Sequence, residues 1–217
     1  MKEIIYGTEN LGKIAYMERA LEGIPIRITG AGTAADKRGI FLSCVEETGK
    51  DQLENARLKA ESYFRLFKSP VFSCDSGLYL WNFSTGEALP ESEQPGIHVR
   101  GRGSRRLSDD ELLAHYINLV KKYGLIQARY KNAICLIWNE EIREESMMEN
   151  LWGEEFLLTD VPHQKRVPGF PLDSISLDKE TKQYFYDMEE NSQDNLVSEN
   201  GFKCFFCNFF KKYEIKC

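Results

Sequence analysis

Short apolar runs and helical patterns take turns through the first half of the chain, and that alternation restricts the fold more than any other feature. Ile4, Ile5 and Tyr6 read as a buried strand ending at Gly7. Ile14, Met17 and Leu21 then recur at helical spacing, which predicts a helix from near Asn10. Pro25 breaks the pattern, and Ile26-Arg27-Ile28-Thr29 reads as a second strand. From Gln52 to Phe67, the positions Leu53, Ala56, Ala60, Tyr63 or Phe64, and Phe67 trace one helical face. Asn55 and Lys59, four apart, share another face that can look toward a ligand. Lys68-Ser69-Pro70 ends this helix, and a strand through Val71-Phe72-Ser73-Cys74 follows. This order favours an α/β fold around a mixed, twisted sheet.

The second half is less regular. The stretch from Asn82 to Gln94, rich in Ser, Glu, Gly and Pro, reads as a loop. Leu107 to Tyr123 reads as a helix, with Ser108 capping it ahead of Asp109, Asp110 and Glu111. Ala128 to Trp138 is a long strand, and the acidic run from Asn139 to Asn150 a solvated hairpin or edge. Tyr184-Phe185-Tyr186 suggests a late strand, and Phe202 to Tyr213 a final aromatic helix. Its phenylalanines Phe202, Phe205, Phe206, Phe209 and Phe210 recur every three to four residues, a spacing that fits a core face better than a dimer face.

The 217 residues suit one α/β domain over 1–217, or two small lobes sharing a sheet. A formal net charge of −6 argues against a non-specific grip on duplex nucleic acid, while a single nucleotide needs only a local cluster of donors. No apolar run approaches the roughly 18 residues of a membrane span, and Lys2-Glu3 stand where a signal peptide would begin its apolar core, so the expected location is cytoplasmic. Cys44, Cys74 and Cys135 lie in apolar segments and read as small buried hydrophobes. Cys204-x-x-Cys207 has no second ligand pair and no histidine downstream of His163, which disfavours a metal or redox role. Cys217 ends the chain.

Three segments carry side chains suited to chemistry. The turn at Thr8, Asn10 and Lys13 presents a helix N-terminus and a point charge to an anion; the bland reading is a capped helix with a solvent-facing lysine. Glu46 and Glu47 precede a helix, where acids also serve to compensate the macrodipole. Val71 to Cys74 runs into Asp75-Ser76-Gly77, read as a turn that sets a carboxylate at a sheet edge facing a ligand, or as a plain β-turn.

Taken in order, Gly7-Thr8-Glu9-Asn10-Leu11-Gly12-Lys13, then Glu46-Glu47-Thr48-Gly49 leading into Glu54-Asn55-Ala56-Arg57-Leu58-Lys59-Ala60, then Ser73-Cys74-Asp75-Ser76-Gly77 resemble the inosine triphosphate pyrophosphatase family. Those enzymes hydrolyse deaminated purine nucleoside triphosphates to monophosphate and pyrophosphate. The resemblance implies an elongated mixed sheet with flanking helices, two lobes around a central cleft, and a homodimer. It implies magnesium, which takes one or two carboxylates plus phosphate oxygens, held by Glu46 or Glu47 together with Asp75. Asp75 would activate water, and Thr8, Asn10, Lys13, Lys59, Ser76 and Gly77 would bind substrate. The implied partner is a nucleoside triphosphate, with no nucleic acid and no membrane.

The match is uneven. The family has two acids in succession where this chain has Cys74 and Asp75. Pro168-Gly169-Phe170-Pro171-Leu172-Asp173-Ser174-Ile175 is similar to the family's base-side motif, G-G-F-G-Y/W-D-P-I/C. Phe170 and Asp173 survive, while Leu172 replaces an aromatic residue, a loss of about 1–3 kcal/mol per stacked base. The family's K-N-x-x-S-H-R becomes Asp194-Asn195-Leu196-Val197-Ser198-Glu199-Asn200, in which only Asn195 and Ser198 match. Each charge-assisted hydrogen bond lost there is worth about 1.5–3 kcal/mol. Arg100, Arg102, Arg105 and Arg106 stand where phosphate contacts could be recovered, or form a solvated basic loop. The expectation is a magnesium-dependent pyrophosphatase of (d)ITP/XTP-type triphosphates with altered base preference. The alternatives are a nucleotide-binding module that has lost catalysis, and a hydrolase of another nucleotide.

Overall fold

The computed structural model describes residues 2–101, 107–188 and 196–215. Arg102, Arg105, Arg106, Asp194, Asn195 and Cys217 lie outside the described residues. In chain order the elements are β1 (Lys2–Tyr6), α1 (Leu11–Ala20), β2 (Ile26–Gly30), α2 (Ala31–Asp36), α3 (Gln52–Phe67), β3 (Val71–Asn82), α4 (Asp109–Tyr123), β4 (Ile126–Ile137), β5 (Arg143–Ser146), β6 (Glu155–Leu158), β7 (Ser176–Asp178) and α5 (Leu196–Lys212). Among the described residues, seven strands form one open, mixed sheet in the order β2-β1-β3-β4-β6-β7, with β5 also paired to β4. β1 runs parallel to β2 and β3, whereas β4 is antiparallel to β5 and β6, and β6 to β7. The expected α/β class with a mixed sheet and flanking helices is the observed one.

The chain divides into two compact units: residues 1–76, 131–152 and 196–217, and residues 77–130 and 153–195. In the first, side chains alternate across the sheet as strand geometry requires. Ile4, Tyr6, Phe72 and Cys74 pack with Met17 of α1 and with Phe202, Phe206 and Phe209 of α5 on one face. Ile5 and Val71 pack with Ala31, Ala34 and Ala35 of α2 and with Tyr63 and Phe67 of α3 on the other. The aromatic positions of the last helix therefore serve a core, as their spacing predicts. In the second unit, Leu112, Leu113, Tyr116, Leu119 and Val120 of α4 cover Leu78, Leu80, Ile126, Phe156 and Leu158 of the sheet. α4 starts at Ser108 with a complete capping box to Glu111, as the sequence predicts.

Three expectations are corrected. Asp75-Ser76-Gly77 is not a turn: β3 continues through it to Asn82. An aspartate or serine makes a turn by bonding its own backbone, but here both carboxylate oxygens of Asp75 accept from α3 and the Ser76 hydroxyl donates to Asn132. Tyr184-Phe185-Tyr186 is not a strand: Tyr184 makes one bridge to Leu177, and Phe185–Asp187 is a 3-10 turn. Aromatic β-propensity yields there to a Tyr184 hydroxyl bond to the Val161 carbonyl at 2.7 Å. Cys44 is exposed rather than buried, because its segment carries no regular structure and no neighbour covers it; Cys74 and Cys135 are buried as expected. Among the described residues, no helix is long and apolar enough to cross a membrane.

Candidate active site

Asp75 lies in the middle of β3 and is 7% exposed. Its Oδ1 accepts from Lys59 Nζ at 2.7 Å and its Oδ2 from Asn55 Nδ2 at 3.2 Å. Both donors sit on α3 one helical turn apart, which is how they reach one carboxylate. Lys59 also donates to Glu47 Oε1 at 3.1 Å. Asn55 Oδ1 accepts from the Gly49 amide at 2.8 Å, so the amide's other end is the one turned to Asp75. A Cβ on Gly49 would stand 2.7 Å from Asn55 Oδ1 and 2.8 Å from Asn55 N. The glycine of Glu46-Glu47-Thr48-Gly49 thus lets the loop lie flat against the start of α3, and Glu47 comes to Lys59 as a result. Glu46 is exposed and makes no contact with this cluster among the described residues.

Burial pulls the Lys59 pKa down, but Asp75 and Glu47 outweigh it and the net shift is upward. The ammonium therefore stays charged, facing two carboxylates, and the cluster formally lacks one positive charge. Hard oxygen donors from two different segments converging on one cation suit magnesium, which takes one or two carboxylates and completes its shell with water and phosphate. Among the described residues no three acids, histidines or cysteines gather, so the protein's share would be Glu47 and Asp75.

Adjacent residues of a strand face opposite ways, so Cys74 does not extend this cluster. It belongs to the core under α1 and α5 with Tyr6 and Phe72, and burial pushes its thiol up to about 12. A neutral thiol there replaces no charge on the Asp75 side.

The first turn is built to present donors. Asn10 Oδ1 caps α1 by accepting from Lys13 N at 3.1 Å, and Thr8 Oγ1 accepts from Asn10 N at 3.2 Å. Both acceptors are thereby committed, leaving the Thr8 hydroxyl proton, the helix N-terminus and the exposed Lys13 ammonium for an anion. Gly7 is mandatory packing: a Cβ would stand 2.0 Å from Ser73 Oγ and 2.7 Å from the Tyr63 ring. Ser76 Oγ donates to Asn132 Oδ1 at 2.7 Å, and Asn132 Nδ2 donates to the Leu151 carbonyl at 2.7 Å. Gly77 is buried in β3.

The second unit holds Phe170 and Asp173 beside a small cavity of about 90 Å³, lined also by Val99, Arg100, Leu112 and Tyr130. Asp173 is half-buried, its carboxylate has no hydrogen-bond partner among the described residues, and burial raises its pKa to about 6. Burial also pushes the Tyr130 phenol far up, with the charge of Asp173 adding to the shift. Arg100 is already engaged, donating to Asp109 Oδ1 at 2.7 Å and to the Gly169 carbonyl at 2.8 Å. Phe170 is 43% exposed, whereas Leu172, which stands where the resemblance expects an aromatic ring, is buried in the core.

The altered C-terminal segment is bound to α1. Ser198 Oγ and Tyr16 Oη are 2.7 Å apart, and Glu199 Oε1 accepts from Arg19 Nε at 3.0 Å and Nη2 at 2.9 Å. The structure thus gathers Glu47, Lys59 and Asp75, keeps Thr8, Asn10 and Lys13 together, and sets Phe170 and Asp173 beside the cavity of the second unit. Sequence reasoning passed over Asn132 and Tyr130, since a lone Asn and a lone Tyr in a strand carry no motif.

Residues 4–199 match the model of the Ham1 family. A dITP/XTP pyrophosphatase of Leptospira interrogans is 26% identical over 196 residues, covering 90% of each chain. Among solved structures, a HAM1 protein from Coxiella burnetii superposes with a TM-score of 0.66 at 20% identity over 99% of this chain and 100% of its own. The Ham1 protein of Staphylococcus aureus does so with a TM-score of 0.65 at 21% identity, covering 98% and 100%.

Proposed function

Because the chain belongs to the Ham1 family, we propose that it is a hydrolase of nucleoside triphosphates that releases pyrophosphate, acting on (d)ITP- and XTP-type purine triphosphates. The observation that carries this reading is the convergence of Glu47, Lys59, Asn55 and Asp75, three stretches of sequence brought onto one carboxylate. The substrate class is that of the dITP/XTP pyrophosphatases this chain is similar to.

In this reading Thr8, Lys13, Lys59 and Asp75 serve the triphosphate, and Phe170 and Asp173, carried over from the family's base-side motif, serve the base. Thr8, the α1 N-terminus and Lys13 hold phosphate oxygens, with Lys59 positioned to reach another. Asp75 orients a water toward the α-phosphorus and accepts its proton while the bond to the β-phosphate oxygen breaks. Asn55 and Lys59 keep that carboxylate aimed. The chemistry a bound magnesium supplies is neutralisation of the phosphate charge, and Glu47 and Asp75 are the residues that would hold it. Dimerisation and a cytoplasmic location belong to the same proposal. Pyrophosphate release with magnesium across ITP, dITP, XTP, GTP, ATP and pyrimidine triphosphates tests it. Turnover of ITP or XTP that disappears in Asp75→Asn supports the reading; turnover retained in that variant removes it.

A second reading has its own support. Glu199 is tied to Arg19 where the family has a base-reading histidine. That favours a nucleotide-binding module without catalysis. Tight binding of the same triphosphates with no pyrophosphate released, by a folded wild-type protein, selects it.

A further inference from the structure

The basic residue that the sequence offered for phosphate contact has a different task. Val167-Pro168-Gly169-Phe170 is a reverse turn, closed by the Phe170 amide donating to the Val167 carbonyl at 3.0 Å. Proline in its second place and a glycine at φ +86° in its third are the signature of a type II turn. Such a turn leaves the amide and the carbonyl of its third residue without partners inside the turn. Here the Gly169 amide donates to Asp109 Oδ2 at 2.6 Å, and the Gly169 carbonyl accepts from Arg100 Nη2 at 2.8 Å. The two clamping side chains are joined to each other, Arg100 Nη1 to Asp109 Oδ1 at 2.7 Å.

Four groups therefore close a ring: guanidinium, carboxylate, and the two polar atoms of one glycine. Charge-assisted bonds of this kind are short and directional, and the planar guanidinium serves two acceptors with fixed geometry. Asp109 is anchored in turn as the first residue of α4, behind the Ser108 capping box. The turn leads directly into the 3-10 segment Pro171–Ile175, whose Asp173 amide donates to the Phe170 carbonyl at 3.3 Å. That segment and Arg100 line the cavity beside Tyr130. An exposed turn otherwise free to move is thus held by a charged pair at the point where it meets the cavity.

We infer that Arg100 and Asp109 are positioning residues for base discrimination, fixing the Gly169 peptide so that Phe170 and Asp173 present a preset edge to a planar, N–H-bearing base. The inference rests on assigning the second-unit cavity to the base. It also withdraws Arg100 from phosphate binding.

The test pairs two variants with two substrates. Arg100→Gln and Asp109→Ala should each raise KM for ITP or XTP about tenfold while kcat stays within about twofold, the pattern of lost binding rather than lost chemistry. KM for ribose 5-triphosphate, which has phosphates and no base, should not move. Amide hydrogen exchange at Gly169 to Asp173 should quicken in both variants, with melting of the whole protein as the control for folding. Equal rises for both triphosphates, or no rise for either, overturn the inference. If wild-type protein turns nothing over, calorimetric titration with a non-hydrolysable α,β-methylene purine triphosphate replaces kinetics. Weaker binding in the variants then keeps this inference while removing the pyrophosphatase reading. Equal binding in variant and wild type overturns it, and no binding even to wild type overturns both.

Discussion

Two aspartates, one in each unit, show how differently the molecule treats the same side chain. Asp75 is almost wholly buried and has both oxygens occupied, by an ammonium and by an amide that is itself held from behind. Asp173 is half-buried, has no hydrogen-bond partner among the described residues, and is pushed up to about 6 by burial alone. The first carboxylate is pre-organised within a finished charge network. The second has no donor among the described residues. In the proposed reading the first serves the phosphates and the second the base.

The largest expected effect comes from removing the charge of Asp75. Asp75→Asn should lower pyrophosphate release by about 10²- to 10⁴-fold, as loss of a general base does, with the circular dichroism spectrum unchanged. Activity within a few fold of wild type would erase the contrast between the two aspartates.

Next is the partner that makes Asp75 tolerable. Lys59→Met leaves two carboxylates facing each other without their ammonium, one of them buried. Breaking a buried pair from one side costs about 3–5 kcal/mol, read as a fall in the denaturation midpoint. A loss under about 1 kcal/mol would mean the pair behaves as a surface ion pair, and the network would not be the pre-organised one described above.

A smaller effect, about 1–3 kcal/mol, is expected for Gly7→Ala, since a methyl 2.0 Å from Ser73 Oγ overpacks the join between the first turn and β3. The double variant with Ser73→Ala should regain part of the loss. Ser73 Oγ is buried without a hydrogen-bond partner among the described residues, so its removal sacrifices no bond. Additive losses in that cycle would place the clash elsewhere.

Asp173→Asn should act in the opposite direction on stability. A carboxyl whose folded pKa, about 6, exceeds its unfolded value of about 3.9 binds more protons when folded. Its ionisation therefore costs stability progressively as pH rises through that window, and the cost is absent below it. Asparagine should raise the melting temperature at pH 7 by a few degrees, the gain fading by about pH 4. At the same time it should weaken selection among purine triphosphates. A variant less stable than wild type at pH 7 would mean that Asp173 has a partner in the folded protein after all.

Much of the cluster around Asp75 was legible because its parts are local. Asn55 and Lys59 reveal a shared face by their spacing, and Asn10 reveals a cap. What was illegible depended on contacts distant in sequence. Asp75-Ser76-Gly77 has turn composition, and only Asn55, Lys59 and Asn132 hold it straight. Tyr184-Phe185-Tyr186 has strand composition, and a bond to Val161 bends it away. Arg100 read as a free cation until Asp109 and Gly169 claimed it.

By itself the sequence determined the alternating α/β order, the helix caps, the family and the residues able to carry charge. These follow from periodicity, capping chemistry and motif order, all of which act within a few residues. Tertiary structure alone decided which charges meet: that Glu47 rather than Glu46 joins Lys59, that Asp75 is filled and Asp173 left open, and that a basic residue clamps a turn instead of a phosphate. Electrostatic partnership is decided by distance in space and by exclusion of water, and neither is written into the order of the residues.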